Sequence, residues 1–341
     1  MKKYIFFYTL IIFCCTACTN DEVLKTYEPP TPTCDYSIND FSVPGENKDS
    51  SINLINCWGG LENYIYVNRY GYFYPCFNPN NKEEIAYMRK DHETFTGCNF
   101  EIWVLNYCTG ETRFVTDGIC YSIDWSVKDW IVFTGEDRQL WKIKSDGDSL
   151  TQLTNSGSYN NFATWNKFGN KIGFKKEANP SAFIIADEQG NTLETIDALR
   201  TKTARHWSMY DKISCATGTV AEEFRPAYYN LESEQFHELP PVDATQHGFI
   251  YDTDWINENK ILWLATWLIG ATDIHSHEVT EIDQGYENRL YHNLAVSSDG
   301  ELIVVEQEDQ FQISDCDIEV EYNLYIMNAD GSEKRRINVP E

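Results

Sequence analysis

A pattern of one large residue, a polar turn and an apolar, β-rich run recurs along the chain. It is clearest where Trp125 begins Trp-Ser-Val-Lys-Asp-Trp-Ile-Val-Phe and where Trp165 begins Trp-Asn-Lys-Phe-Gly-Asn-Lys-Ile-Gly-Phe. Repeats of 40 to 50 residues that hold several short strands are typical of propeller blades. The large residues that open the six copies, 40 to 48 residues apart, are Phe77, Trp125, Trp165, Trp207, Trp255 and Val296.

Each copy continues with further strands. A second apolar run, such as Leu140-Trp-Lys-Ile-Lys, precedes a turn, such as Ser145-Asp-Gly-Asp, and a short closing strand, such as Leu150-Thr-Gln-Leu-Thr. Asp-Gly between alternating strands favours a hairpin because glycine tolerates positive φ. The pattern therefore predicts an all-β fold, a six-bladed β-propeller of four-stranded antiparallel blades over residues 71–339.

The repeats also resemble those of a known family. The Trp165 string, together with Leu324-Tyr-Ile-Met-Asn-Ala-Asp-Gly-Ser and the ending Leu153-Thr154, is similar to the WD40-like repeats of TolB-type propeller lipoproteins of Gram-negative bacteria. The turn at Ser298-Asp299-Gly300 keeps the family pattern, whereas the turn at Val127-Lys128-Asp129 does not. The resemblance therefore implies the fold and an envelope location, and it implies no functional subfamily.

How the ring closes is open. Residues 62–69 have the pattern of a strand outside the six copies. This strand either pairs onto a terminal blade or belongs to a partial seventh blade, and we favour six blades.

The N-terminal residues predict export. Lys2 and Lys3 precede a short apolar run, and Thr16-Ala17-Cys18 follows it. This order is that of a secretory signal, and its end resembles the lipoprotein signal in which the cysteine is lipidated after cleavage. We predict a signal peptide at 1–17, a lipid anchor at Cys18 with a flexible tether to residue 50, and a propeller at 51–341. The protein is then an outer-membrane lipoprotein, periplasmic or surface-exposed, and ordinary cleavage without lipid is the alternative.

Charge and cysteine content narrow the partners and the covalent structure. A formal net charge of -26 repels polyphosphate, so we expect no nucleic-acid partner and membrane contact through the lipid anchor only. Eight cysteines beyond Cys18 permit up to four disulfides in an oxidising compartment. Cys98 and Cys108 flank one predicted strand and are the first pair that we expect to form a bridge.

Polar side chains precede several of the large aromatic residues, on the strand predicted to be innermost in each blade. Strand alternation turns them away from the tryptophan side, toward the central channel or its mouth, while the tryptophans fill the layers between blades. Asp252 lies on the same strand face as Asp254. The candidate channel-lining binding residues are Asp124, Thr164, His206, Asp252 and Asp254.

Aspartate and histidine together suit a divalent cation or acid–base chemistry, which makes His206 and Asp254 the candidate metal ligands. A solvated polar channel is the alternative, because the sequence shows no metal-ligand spacing. We therefore expect no cofactor, with a divalent metal as the open alternative.

The sequence lacks Gly-x-Ser-x-Gly, His-Glu-x-x-His, the phosphate loop and the dinucleotide fingerprint. The function predicted is thus a non-enzymatic binding module of the cell envelope, for a protein or glycan partner. The alternative is a metal-assisted polysaccharide lyase or hydrolase built on the channel, with His206 as its natural catalytic candidate.

Overall fold

The structure is a computed structural model that describes residues 63–66, 69–92, 98–200, 202–208, 210–218, 223–242, 249–285, 288–312 and 317–340. All of them belong to one compact unit, 36–341. The predicted signal peptide, the anchor at Cys18 and most of the tether and linker region therefore lie outside the described residues. Among the described residues, no helix is long and apolar enough to cross a membrane.

Strands dominate the described chain, and a short 3-10 helix, Asp197–Leu199, interrupts them. Alternating apolar and polar residues and the turns between them make short strands the stable local structure. The strands are β1 (Asn63–Tyr66), β2 (Tyr70–Asn78), β3 (Asn81–Asp91), β4 (Phe100–Asn106), β5 (Thr112–Trp125), β6 (Trp130–Gly135), β7 (Leu140–Lys144), β8 (Thr151–Gln152), β9 (Tyr159–Trp165), β10 (Lys171–Glu177), β11 (Ala182–Asp187), β12 (Thr192–Ile196), β13 (Thr203–Trp207), β14 (Lys212–Thr217), β15 (Arg225–Asn230), β16 (Gln235–Glu238), β17 (Ile250–Asn257), β18 (Lys260–Ala265), β19 (Leu268–Asp273), β20 (Val279–Gln284), β21 (Arg289–Val296), β22 (Leu302–Gln312), β23 (Asp317–Asn328) and β24 (Arg335–Arg336).

These strands form consecutive antiparallel sheets. Strands β9–β12, β13–β16 and β17–β20 are three four-stranded sheets, which we call the third, fourth and fifth blades. Strands β2–β8 form one seven-stranded sheet in which the long strand β5 serves twice. Its first half pairs with β4 as the outer strand of the first blade, and its second half pairs with β6 as the inner strand of the second. Strands β21–β23, with β24 and β1, are the sixth blade.

The inner strands of the blades form a closed ring. Strands β2, β5, β9, β13, β17 and β21 each contact the next, and β21 contacts β2. The prediction of an all-β propeller with four-stranded antiparallel blades is thus confirmed, and the described part of the ring has six inner strands.

The sixth blade is where the two ends of the described chain meet. Strand β1 pairs in parallel with residues 317–320 of β23, and β24 pairs with residues 325–326 of the same strand. The strand expected outside the six copies therefore pairs onto the terminal blade, and the described residues form no seventh blade.

Side chains also join the sixth blade to the first. Lys82 Nζ lies 2.7 Å from Asp299 Oδ2 and 2.6 Å from Glu301 Oε2. In the same interface, the backbone N–H of Tyr74 donates to the carboxylate of Glu306 at 3.1 Å. Because Glu306 is buried, this bond lies in an environment where water competes little.

The recurrent tryptophans are buried between blades, as expected from their repeat position. Trp165 is 4% exposed and packs in one cluster with Val132 and Leu140 of the second blade. Trp207 packs with Phe183 of the third blade in the same way. Each tryptophan thus supplies the apolar layer between its own blade and the preceding one.

The expected bridge between Cys98 and Cys108 is wrong. Cys98 is bonded to Cys120, and their Cα atoms are 4.3 Å apart. Antiparallel pairing of β4 with β5 places Phe100 opposite Ile119, so Cys98 and Cys120 meet at the same end of the hairpin. Cys108 lies beyond the other end of β4, about 20 Å away along a seven-residue strand.

We expect Trp165→Ala to lower the free energy of unfolding by about 3–5 kcal/mol, because it leaves a cavity between the second and third blades. Urea unfolding followed by tryptophan fluorescence measures the loss. Phe168→Ala is the matched control, since Phe168 is an aromatic residue of the same blade that is 58% exposed. A Trp165→Ala protein as stable as this control would contradict the assigned packing.

Candidate functional site

Four of the five predicted channel residues line one cavity in the centre of the ring. Asp124, Thr164, His206 and Asp254 each precede a large aromatic residue on an inner strand, and together they border a space of about 500 Å³. The cavity opens on the face that carries the hairpins between the first and second strands of the blades. We call this the hairpin face, and each of the six hairpins contributes a lining residue: Pro79, Val127, Lys167, Tyr210, Asn257 and Ser298.

Asp124 and Thr164 are engaged by the backbone of the following blade. The N–H of Trp165 donates to Asp124 Oδ2 at 2.6 Å, and the N–H of Trp207 donates to Thr164 Oγ1 at 3.1 Å. Asp124 Oδ1 also accepts from the N–H of Trp125 at 2.9 Å. Both side chains therefore fasten one inner strand to the next.

Asp252 and Asp254 do the same between the fifth and sixth blades. Asp254 Oδ2 accepts from the N–H of Val296 at 2.8 Å, and Asp252 Oδ2 accepts from the N–H of Leu294 at 3.1 Å. Their other oxygens accept from the N–H groups of the residues that follow them, Thr253 and Trp255. Four of the five predicted residues thus have a structural bond across a blade interface, which the sequence pattern alone did not indicate.

His206 differs from these four because it forms ion pairs with carboxylates of the next blade instead of a hydrogen bond to its backbone. Its Nε2 lies 3.7 Å from Asp252 Oδ1, and its Nδ1 lies 4.0 Å from Asp254 Oδ1. Burial lowers the pKa of His206, but the carboxylates of Asp254, Asp252 and Asp124 outweigh burial and raise the pKa to about 9. His206 is therefore an imidazolium at neutral pH.

The surrounding carboxyl groups respond unequally to this cation. Burial raises the pKa of Asp124 and of Asp254, even though His206 acts in the opposite direction. At Asp252, His206 and Arg205 outweigh burial, and the pKa is lowered. The firm ion pair in the channel is thus His206 with Asp252.

The metal interpretation of His206 and Asp254 gains no support from this geometry. The described residues contain no group of three or more His, Cys, Asp or Glu side chains placed to hold a metal ion. A divalent cation at this position stays a prediction.

A second, smaller cavity lies farther from the hairpin face and was missed by sequence reasoning. Its volume is about 30 Å³, and its lining includes Tyr74, Ser122, Phe162, Arg205, Asp252 and Asn293. His206 lines both cavities and therefore lies between them in the channel.

Residues at bulges in the inner strands line this second cavity. Tyr74, Ser122 and Phe162 have φ values of 47°, 39° and 51°, and each lies three residues before the large residue of its copy. The strand pairing shifts register at these points. A bulge re-aims side chains, and since none of the three residues is glycine, no turn signal in the sequence marked it.

Solved structures show the same fold. The putative TolB from Agrobacterium tumefaciens aligns at a TM-score of 0.57 and 14% identity, covering 70% of this chain and 88% of that one. TolB from Acinetobacter baumannii aligns at a TM-score of 0.51 and 14% identity over 63% of this chain. This chain spans about half the length of that protein, 55%. An oligogalacturonate lyase in complex with manganese aligns at a TM-score of 0.52 and 11% identity, covering 79% of this chain and 77% of that one.

These comparisons confirm the TolB-like propeller fold expected from the repeats. At identities of 11% to 14% they concern the fold alone. No family model and no curated protein sequence matches the chain.

We expect Thr164→Val to lower the free energy of unfolding by about 1–3 kcal/mol, because it leaves the buried N–H of Trp207 without an acceptor at unchanged side-chain volume. Thr164→Ser retains the hydroxyl and is the matched control. Urea unfolding of both variants measures the difference, and equal losses would show that the hydroxyl is not the fastening group.

The raised pKa of His206 makes its contribution to stability depend on pH. Because the folded-state pKa of about 9 exceeds the ordinary value of 6.5, the contribution is complete below pH 6.5 and disappears as the pH rises through 9. We therefore expect the destabilisation caused by His206→Gln to be greatest near pH 6 and to shrink toward pH 9.5 in urea titrations. The control is His275→Gln, at an exposed turn. A His206→Gln deficit that does not change with pH would overturn the charge assignment.

Proposed function

We propose that the protein is a non-enzymatic binding module of the cell envelope whose partner docks on the hairpin face, over the mouth of the larger cavity. One observation carries the proposal. Three successive blades each expose an apolar side chain in a hairpin of that face. Val127 and Tyr210, which line the cavity, are 41% exposed, and Phe168, next to the lining residue Lys167, is 58% exposed. Exposed apolar residues grouped around a concavity are typical of interaction sites.

The hairpins of the fifth and sixth blades present polar residues to the cavity. Asn257 and Ser298 line the cavity on the fifth and sixth blades, and Asp299 beside them is paired with Lys82. Protein–protein interfaces combine apolar residues with polar residues around them. A cavity of about 500 Å³ is large enough to take an anchoring side chain of the partner. The rim thus favours a protein partner over a glycan.

The envelope location rests on residues 1–18, whose signal resembles that of exported lipoproteins. In this proposal Cys18 carries the lipid and residues 19–50 place the propeller at a distance from the outer membrane, on its periplasmic or outer side. The TolB-like fold fits this role. The fold is shared with a lyase, so catalysis on an acidic glycan is the competing outcome that an experiment has to address.

The test is affinity purification of the tagged, lipidated protein from solubilised envelope, comparing the native chain with Phe168→Glu. We expect one partner near equal stoichiometry with the native chain and at least about tenfold less with the variant, since a charge there would be buried unpaired in the interface. Leu193→Glu is the matched control. Leu193 is similarly exposed, at 54%, but it lies on β12, the outer strand of the same blade.

Equal recovery with Phe168→Glu and Leu193→Glu would place the partner elsewhere. Absence of a protein partner, together with turnover of an acidic oligosaccharide by the manganese-loaded protein, would replace the proposal with the enzymatic alternative.

A further inference from the structure

An arginine at the far end of the channel lacks the partners that such a side chain normally has. Arg205, on inner strand β13, borders the smaller cavity and its side chain is 15% exposed. Its guanidinium lies 3.7 Å from the centroid of the Phe162 ring. Its Nε is buried with no hydrogen-bond partner, and the guanidinium forms no hydrogen bond to any described residue.

The nearest carboxylate does not satisfy Arg205. Asp252 Oδ1 is 3.8 Å from the arginine Nε, beyond hydrogen-bond distance. Both oxygens of Asp252 already accept from backbone N–H groups, and the same carboxylate is the partner of the His206 imidazolium at 3.7 Å. Two cations therefore share one ionised carboxylate, and the planar donor array of Arg205 stays unused.

A second unpartnered group lies at the same cavity. The hydroxyl of Ser122 is buried and has no hydrogen-bond partner among the described residues. Ser122, Tyr74 and Phe162 also hold the positive φ values of the bulges, which cost energy in residues other than glycine. Buried unpaired polar groups and backbone strain thus coincide around one small cavity, on three separate blades.

The shape and rim of the cavity limit what can enter. A volume of about 30 Å³ accepts a planar carboxylate at the end of a flexible chain but is too small for a sugar ring. Tyr121, which precedes Ser122, and Tyr159, on β9, form a ring pair with centroids 5.8 Å apart. Tyr121 is 40% exposed, and tyrosine and arginine are among the residues enriched at the hot spots of protein interfaces. A chain net charge of -26 disfavours a polyanion.

We propose that Arg205, with the hydroxyl of Ser122, forms a binding site for a single peptide carboxylate at this end of the channel, and that the rings of Tyr121 and Tyr159 contact the residues beside that carboxylate. The guanidinium supplies two parallel N–H donors to the two carboxylate oxygens, and its stacking on Phe162 orients it in advance. The site is separate from the docking surface on the hairpin face and does not depend on it.

The first test uses sodium acetate as the probe and acetamide as its uncharged isostere, in saturation-transfer NMR at constant ionic strength. We expect saturable binding of acetate and none of acetamide by the native protein. Arg205→Gln should weaken acetate binding at least about tenfold, as expected for loss of a charge-assisted bidentate pair. The matched control is Arg225→Gln, which removes a charge from the same blade and should leave acetate binding unchanged.

Urea unfolding curves test whether Arg205→Gln is folded. If it is not, Arg205→Lys, which keeps the charge but lacks the planar fork, replaces it. Equal acetate affinity of the native protein and the folded Arg205 variant would overturn the proposal, as would absence of acetate binding by the native protein.

Three further probes identify the source of the carboxylate. Stronger binding of Ac-Tyr-Glu-NH₂ than of Ac-Tyr-Gln-NH₂ would assign the site to an acidic side chain, and stronger binding of Ac-Tyr-Gly with a free carboxyl end would assign it to a chain terminus. Glucuronate bound more tightly than either peptide would overturn the assignment to peptides.

Discussion

The ring depends on how the free edge of each inner strand is satisfied. An inner strand pairs with its own blade along one edge only, and the N–H groups on the other edge face the channel or the next blade. Buried N–H groups without acceptors are costly. Asp124, Thr164 and Asp254, each from the preceding blade, supply the acceptors for Trp165, Trp207 and Val296. One polar residue at a fixed repeat position thus converts separate sheets into a ring.

Three interfaces depart from this rule, and different interactions replace the missing bond. At the first blade the equivalent residue is Cys76, and the shared strand β5 joins the first blade to the second. At the fourth blade the equivalent residue is His206, which forms ion pairs with Asp252 and Asp254 of the fifth blade. Between the sixth and first blades, Glu306 accepts from Tyr74, and strand β1 adds its pairing with β23. Between the fourth and fifth blades a buried ion pair thus takes over the linking role, which places ionised groups at the centre of the channel.

The same geometry separates the channel into two ends with different chemistry. Tight hairpins on one face expose Phe168 and its neighbours around a wide mouth, which suits contact with another protein. Toward the other end, bulges narrow the space and bring Arg205 and Ser122 to a small cavity. His206 lines both cavities and lies between these two ends.

The sequence by itself determined the repeat, the strand order within each blade and the buried positions of Trp165 and Trp207, because strand alternation and turn residues are local properties. It also brought Asp124, Thr164, His206 and Asp254 to one strand position. Only the tertiary structure decided what these side chains do, since their partners lie about forty residues away on another blade: N–H groups for Asp124, Thr164 and Asp254, and carboxylates for His206. The pairing of Cys98 with Cys120, the place of β1 on the last blade and the unpartnered state of Arg205 were likewise decided there. Each depends on which distant backbone a residue meets when the ring closes, and no local pattern encodes that distance.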